Sequence, residues 1–257
     1  MRIVTWNVLG LTGYPSEVSS SAIGTPGEAA NRDHFAGVFA GLGADILALQ
    51  EGVVHRTAQA IAKRCGRHLA TFPSPQAWPG HVLSRFPVVE SRTFSHAVDD
   101  DSLPPFSRTA GAALLQVSST QQLWVVCVHL HPGDVTLRAR EGKLLRERLE
   151  ALLPDCNNAV VLGDFNSDVS ESVHQHLREL SFVNAMATAG GGLQLTMDTA
   201  GIKPWKIDHI YLSPGLGETL TGAAVVRDTG FRTDVPRAPG VWDHSDHLPV
   251  RADLAWP

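Results

Sequence analysis

Short apolar runs of Val, Ile and Leu recur along the chain, bounded by Gly, Pro, Asp and Asn. That pattern predicts buried strands at Ile3–Val8, Asp45–Gln50, His81–Ser84, Ala110–Val117, Leu123–Leu130, Ala159–Leu162, Ile207–Leu212, Ala223–Arg227 and Pro249–Leu254. Helical spacing of apolar positions predicts helices at Asn31–Leu42, Arg56–Cys65, Arg138–Leu153 and Ser172–Leu180. The third places Leu144, Leu145, Leu149, Leu152 and Leu153 on one side and its Arg and Glu residues on the other. Strands occur both consecutively and separated by helices. The fold class expected from this is α/β or α+β, with two packed sheets and helices outside them. No repeat and no dividing linker is visible, so a single domain is expected over residues 1–257. Gly10–Glu28 and Asp228–Asp243 read as long loops, and loops of that length commonly form functional rims.

The polar residues that punctuate these runs are more informative than the runs. Apolar segments end on Asn7, on Glu51, on His129, and on Asp164 and Asn166. Two later segments reverse the order, with Asp208 and His209 at the start of one strand and Asp246 and His247 just before another. If those last strands run antiparallel to the others, all these groups reach one rim, forming a polar pocket over an apolar sandwich. Any single Asn or Asp at a strand end is ordinarily a turn residue. A single His after an apolar run is ordinarily a hydrogen-bonded core residue. The concentration of carboxylates, amides and imidazoles at most strand ends is not accounted for that way.

Composition narrows the classes without choosing among them. Of 257 residues, 43% are hydrophobic and 18% charged, which supplies a large core and excludes a disordered chain. Lys and Arg number 21 against 26 Asp and Glu, a net −5, so there is no global basic surface of the kind nonspecific nucleic-acid binders carry. Cys65, Cys127 and Cys156 are odd in number and form no Cys-x-x-Cys, so reduced thiols are expected. The opening residues lack a signal-peptide core, and no apolar run reaches the ~20 residues of a membrane span, so a cytoplasmic location is expected.

Asp164 and Asn166 form the sharpest local pair. Residues i and i+2 on an extended chain face the same way, roughly 6.6 Å apart, and Gly163 before them lets backbone approach closely. Such a carboxylate and amide suit a phosphate or the water aimed at it; the plain alternative is an Asx-turn. Glu51, Asp164 and Asp246 are hard oxygen donors, and few carboxylates with open water positions suit Mg²⁺ or Mn²⁺ better than Zn²⁺. His129 and His131 form a His-x-His spacing, but no convincing further zinc ligands accompany them. His131, before Pro132-Gly133, also reads as a rim residue. Gly-x-Ser-x-Gly, P-loop, Gly-x-Gly-x-x-Gly and His-Glu-x-x-His motifs are absent.

Taken in order, Trp6-Asn7, Gln50-Glu51, Ser84-Arg85-Phe86-Pro87, His129-Leu130, Gly163-Asp164-Phe165-Asn166, Ile207-Asp208-His209-Ile210 and Ser245-Asp246-His247-Leu248-Pro249-Val250 resemble the endonuclease/exonuclease/phosphatase superfamily, the deoxyribonuclease I-like fold. The resemblance implies a four-layer α/β sandwich and divalent-metal-dependent phosphoester hydrolysis. It implies Glu51 as principal ligand of Mg²⁺ or Mn²⁺, with Asp246 and Asn7 beside it. Asp164 would orient or deprotonate the attacking water, and Asn166 would bind phosphate. His247 would contact phosphate and take part in proton transfer, held in the useful tautomer by Asp208. His129 would stabilise the transition state or protonate the leaving oxygen.

Two departures bear on the subfamily. Leu9 stands where exonuclease III-like repair enzymes carry an acidic residue, and His129 stands where they carry Tyr. Both disfavour an abasic-site endonuclease. His129 resembles the branch containing deoxyribonuclease I, sphingomyelinases, deadenylases, inositol-polyphosphate 5-phosphatases and tyrosyl-DNA phosphodiesterases. The pocket walls carry Trp78, Phe106, Trp205 and Trp242, suited either to stacking a planar group or to packing the loops. Arg232 and Arg237 suit a second phosphate, whereas Asp99, Asp100 and Asp101 would repel a polyanion. The expected substrate is a phosphate ester: a small phosphodiester, or an exposed phosphate of nucleic acid or lipid. His131, Asn166, Trp205 and Trp242 are its candidate contacts. A nuclease, a phosphomonoesterase acting on inositol or sugar phosphates, and a noncatalytic binding protein are the alternatives. No obligatory protein partner is expected.

Overall fold

The computed structural model describes residues 1–14, 29–96, 104–198, 204–228, 230–231 and 242–256. Arg232, Arg237 and Asp99, Asp100 and Asp101 therefore lie outside the described residues, as does most of each long loop.

Two six-stranded sheets pack face to face. The first has the order β13 (Leu220–Val225), β14 (Val250–Leu254), β1 (Arg2–Asn7), β2 (Ile46–Gln50), β4 (Gly80–Ser84), β3 (His68–Phe72). The second runs β5 (Val88–Thr93), β6 (Ala110–Gln116), β7 (Gln122–His129), β8 (Ala159–Asp164), β12 (Asp208–Leu212), β9 (Val183–Asn184). A two-stranded ribbon, β10 (Met197–Asp198) with β11 (Pro204–Trp205), lies beside them. Alternate residues of the central strands, among them Ile3, Ala48, Val82, Val125, Leu162, Ile210 and Val250, fill the space between the sheets.

The opposite faces are covered by helices. Trp6 and Leu49 pack with Phe35, Phe39 and Ile61 of α1 (Ala29–Gly41) and α2 (His55–Arg64). Trp124 and Val126 pack under Leu145, Leu149 and Leu177 of α3 (Val135–Leu152) and α4 (Ser172–Glu179). Short α5 (Ala185–Ala189) and α6 (Pro214–Gly217) complete the chain. Central strands buried on both faces explain the unbroken apolar runs.

The observed elements differ from the sequence expectation mainly at the edges. β3 and β5 carry polar residues on one face, and β5 is largely exposed, so neither presents a continuous apolar run. The helix expected at Arg138 begins at Val135, because Asp134 accepts a hydrogen bond from Leu137 N at 3.0 Å and caps it. Its charged residues do not all face water. Arg138 and Glu141 are buried: Arg138 forks onto Glu171 at 2.7 and 2.9 Å, and Glu141 accepts from Ser107 and His131. All three cysteines are free, with Cys127 buried. Among the described residues no helix is long and apolar enough to cross a membrane.

Strand direction decides where the polar tips go. β1 and β2 are parallel, as are β7 and β8, and His129 stands opposite Asp164. β12 runs antiparallel to β8 with Asp208 opposite Asp164, and β14 antiparallel to β1. The tips of β1, β2, β7 and β8 and the starts of β12 and β14 thus share one rim.

Candidate active site

The rim is built around Asp164, which is almost fully buried. Its Oδ2 accepts from Asn7 Nδ2 at 3.1 Å and lies 3.4 Å from His129 Nε2 and 3.7 Å from His247 Nε2. Its Oδ1 accepts from the backbone N–H of Asn166 at 2.9 Å. Gly163 makes this approach possible. Its φ is +148°, and a Cβ there would lie 1.9 Å from the carbonyl oxygen of Val128.

His247 forms the second half of the site. Its Nδ1 donates to Asp208 Oδ2 at 2.9 Å. Its backbone carbonyl accepts from Trp6 Nε1 at 3.0 Å, so a buried core residue fixes the segment. Burial works against charge on this ring, but Asp208 and Asp164 outweigh it and hold the imidazole well above its ordinary value. The two carboxylates thus favour the protonated form of the ring. Ligand atoms of Asp164, Asp208 and His247 lie within 4.8 Å of one another. Nδ1 of His247 is engaged by Asp208, which leaves Nε2 as the ring atom facing this space.

Glu51 lies beside His129, with Oε1 3.8 Å from its Nε2. Arg108 Nη1 reaches Glu51 Oε1 at 3.2 Å and His129 Nε2 at 3.3 Å. Burial raises Glu51 to about 7, against the lowering influence of His247, Asn7 and Arg108. Burial lowers His129 to about 4, so it is neutral. Burial likewise raises Asp164. Glu51 Oε2 and Asp208 Oδ1 are buried oxygens with no hydrogen-bond partner among the described residues.

Three buried carboxylates, Glu51, Asp164 and Asp208, thus lie with Arg108 and with His247, whose protonated form the two aspartates favour. A hard divalent cation fits this donor set, and the orphaned Glu51 Oε2 is the atom placed to receive it.

The remaining sequence candidates take varied positions. Asp246 is half-buried, adjoins His247, and its Oδ1 lies 3.3 Å from Ser245 Oγ. Asn166 has φ +50° and gives its Nδ2 to the Leu130 carbonyl at 2.9 Å, tying β7 to β8. His131 Nδ1 accepts from the N–H groups of Gly133 and Asp134, forming the turn into α3. Trp205 is 43% exposed on the ribbon whose Met197 bridges His247. Trp242 packs on His34 and His244 in the α1 layer. Phe106 is fully buried under α3 and does not line the rim. Arg108 is the site residue that sequence reasoning passed over. It precedes an apolar run, as Asp208 and Asp246 do, and the same placement rule would have found it. With Ser74, Gln76, Ala77, Trp78 and His129 it lines a cavity of about 140 Å³ beside the carboxylates.

A two-sheet sandwich with one rim of carboxylates, amides and histidines defines the deoxyribonuclease I-like class of protein. The chain belongs to the Endonuclease/Exonuclease/phosphatase family, whose sequence profile matches residues 4–247 and whose members are divalent-metal-dependent phosphoester hydrolases. Solved structures agree on the fold. The 3'-5' exonuclease NExo from Neisseria meningitidis is 19% identical with a TM-score of 0.69, an AP endonuclease from Archaeoglobus fulgidus 15% with 0.73, and the mannosyl-6-phosphatase Bt3783 from Bacteroides thetaiotaomicron 15% with 0.70. Each of these matches covers 100% of both chains. No curated protein sequence matches the chain.

Proposed function

We propose that residues 1–257 form one catalytic domain, a Mg²⁺- or Mn²⁺-dependent phosphodiesterase that cleaves a P–O bond with activated water. The observation that carries this reading is the pairing of Asp164, made more basic by burial, with the Asp208–His247 dyad 3.7 Å away. Glu51, with Asp246 and Asn7 beside it, would hold the metal, which when bound supplies Lewis-acid neutralisation of phosphate charge. Asp164 orients the attacking water and takes its proton. His247, its protonated form favoured by Asp208 and Asp164, binds a phosphate oxygen and supplies a proton as charge moves. His129 and Arg108 face the same space from β7 and the start of β6, where they stabilise negative charge on the transferring group or leaving oxygen. Asn166 binds phosphate once its amide exchanges the Leu130 carbonyl for ligand, with His131, Trp205 and Trp242 as outer contacts. A cytoplasmic location fits the three free cysteines.

The test is hydrolysis of bis-p-nitrophenyl phosphate beside p-nitrophenyl phosphate, with Mg²⁺, Mn²⁺ or chelator. Metal-dependent diester turnover that disappears in Asp164→Ala is expected. Preference for the monoester would replace the reading with a phosphatase. A nuclease is favoured as second reading by one observation. Trp78 is 43% exposed and shares a cavity with Arg108 and His129, placing a stacking surface next to a cation. It predicts steeply salt-dependent binding of short oligonucleotides.

A further inference from the structure

Glu51 holds an unusual backbone conformation. Its φ is +49°, in the left-handed region that a non-glycine residue occupies only when its surroundings enforce it. Backbone groups supply part of that enforcement: Glu51 O accepts from Gly10 N at 2.7 Å, and Gly52 N donates to Pro79 O at 2.8 Å. A buried side chain adds to it. The ring of fully buried His81 in β4 reaches the Val53 carbonyl with Nε2 at 2.8 Å. It packs so tightly on Gly52 that a Cβ there would lie 2.3 Å from its Cδ2.

The hydrogen bonds fix the tautomer. A carbonyl only accepts, so His81 carries its proton on Nε2. Its Nδ1 then accepts, and the partner 3.0 Å away is the Thr71 hydroxyl on β3. That hydroxyl oxygen accepts in turn from Nδ1 of exposed His55 at 2.9 Å, at the start of α2. Burial lowers His81 to about 4, consistent with the neutral ring this arrangement requires. Hydroxyl, ring and carbonyl therefore form a directed chain that ends two residues beyond Glu51.

We propose that His81 is a positioning residue for Glu51, oriented by Thr71 and acting through the backbone of Gly52 and Val53. This rests on Glu51 being a metal ligand, as argued above. The chain fixes the turn on which the Glu51 carboxylate is mounted, so its loss loosens the carboxylate without touching the reacting groups.

The test is Mn²⁺ titration of the metal-free protein by loss of the free-ion EPR signal, with the melting temperature recorded for each variant. Both His81→Phe and Thr71→Val are expected to weaken Mn²⁺ binding, by about tenfold, the lower end for supporting residues around a metal. Thr71→Val preserves β-branching and is the milder change. In the His81→Phe background it should add nothing, since both act on one bond. His81→Gln, whose amide places a donor near the Nε2 position, should restore most of the affinity. His55→Ala should leave it unchanged, because Thr71 still donates to His81.

A fall in melting temperature with unchanged Mn²⁺ affinity in both His81→Phe and Thr71→Val would overturn the inference. So would ¹⁵N shifts placing the His81 proton on Nδ1, a readout needing no metal. A wild-type protein that takes up no Mn²⁺ while showing the Nε2–H tautomer would instead remove the metal-ligand reading beneath it.

Discussion

At the scale of single residues, the most exposed claim is the division of labour between Asp208 and His247. Asp208 raises the imidazole against the opposing effect of burial. Asp208→Asn removes the larger carboxylate influence and leaves a similar shape. The expected result is a fall in the His247 pKa, visible in its ¹⁵N shifts, and a loss of roughly hundredfold or more in kcat, the scale of one positioned proton-transfer group. An unchanged His247 titration in that variant would refute the assignment. Glu51 yields a pH prediction of definite sign. Burial places it at about 7, so it is protonated below neutrality and, as the proposed metal ligand, would have to lose that proton first. Mn²⁺ affinity should therefore weaken as pH falls from 8 through 6, approaching tenfold per unit below the pKa. A flat profile over that range would show that another group is the ligand.

Among the elements, α3 contributes more to the rim than its leucine stripe suggests. Buried Glu141 accepts from both the N–H and hydroxyl of Ser107 at 2.7 Å and from His131 N at 3.0 Å. It clamps the segment before Arg108 to the segment after His129. Glu141→Gln keeps one acceptor and turns an N–H toward another N–H, so a loss of about 1–3 kcal/mol is expected, with weaker turnover as Arg108 loosens. Asp134→Ala, which removes only the α3 cap, should cost about 1 kcal/mol and leave kcat unaltered. Chemical denaturation with parallel kinetics separates the two. This is also where the sequence became hard to read. An Arg and a Glu on a helix ordinarily mark its wet face. Here Arg138 and Glu141 are buried because each finds charged or backbone partners contributed from distant segments, and no local pattern announces them. β3 and β5 were missed for a related reason: strands near a sheet edge are half wet and lack a continuous apolar run. The central strands and their polar tips were legible because burial on both faces leaves so little choice of residue. Arg108 was equally accessible to that logic, whereas the Thr71–His81 pairing depends on tertiary proximity alone.

For the whole molecule, the buried histidines set a dependence of stability on acid. His81, His174 and His209 are essentially inaccessible, and burial lowers them to about 4, about 3 and about 4. His174 is held neutral between Ser167 Oγ and the Tyr211 hydroxyl, each at 2.8 Å. On unfolding each ring regains an ordinary pKa near 6.5 and takes up a proton that the native state refuses. Stability from these groups is complete above 6.5 and is lost as pH falls toward 4. Glu51 opposes the trend: with its folded pKa raised, it favours the native state below 4.5 and loses that contribution as pH rises through 7. His129 and His244, also lowered to about 4, act in the same direction as the three histidines, and Asp164, raised by burial, acts with Glu51; the lowered histidines outnumber the raised carboxylates, so stability falls between pH 6 and 5. Denaturant midpoints should fall steeply over that interval and level off near pH 4. In His174→Phe the midpoint should drop at every pH, because two hydroxyls lose their partner. The slope should also flatten by about one proton, roughly 1.4 kcal/mol per unit. The offset reports the lost hydrogen bonds and the slope reports the titration, so a variant with the offset but the wild-type slope would show that His174 is not among the groups making the fold acid-labile.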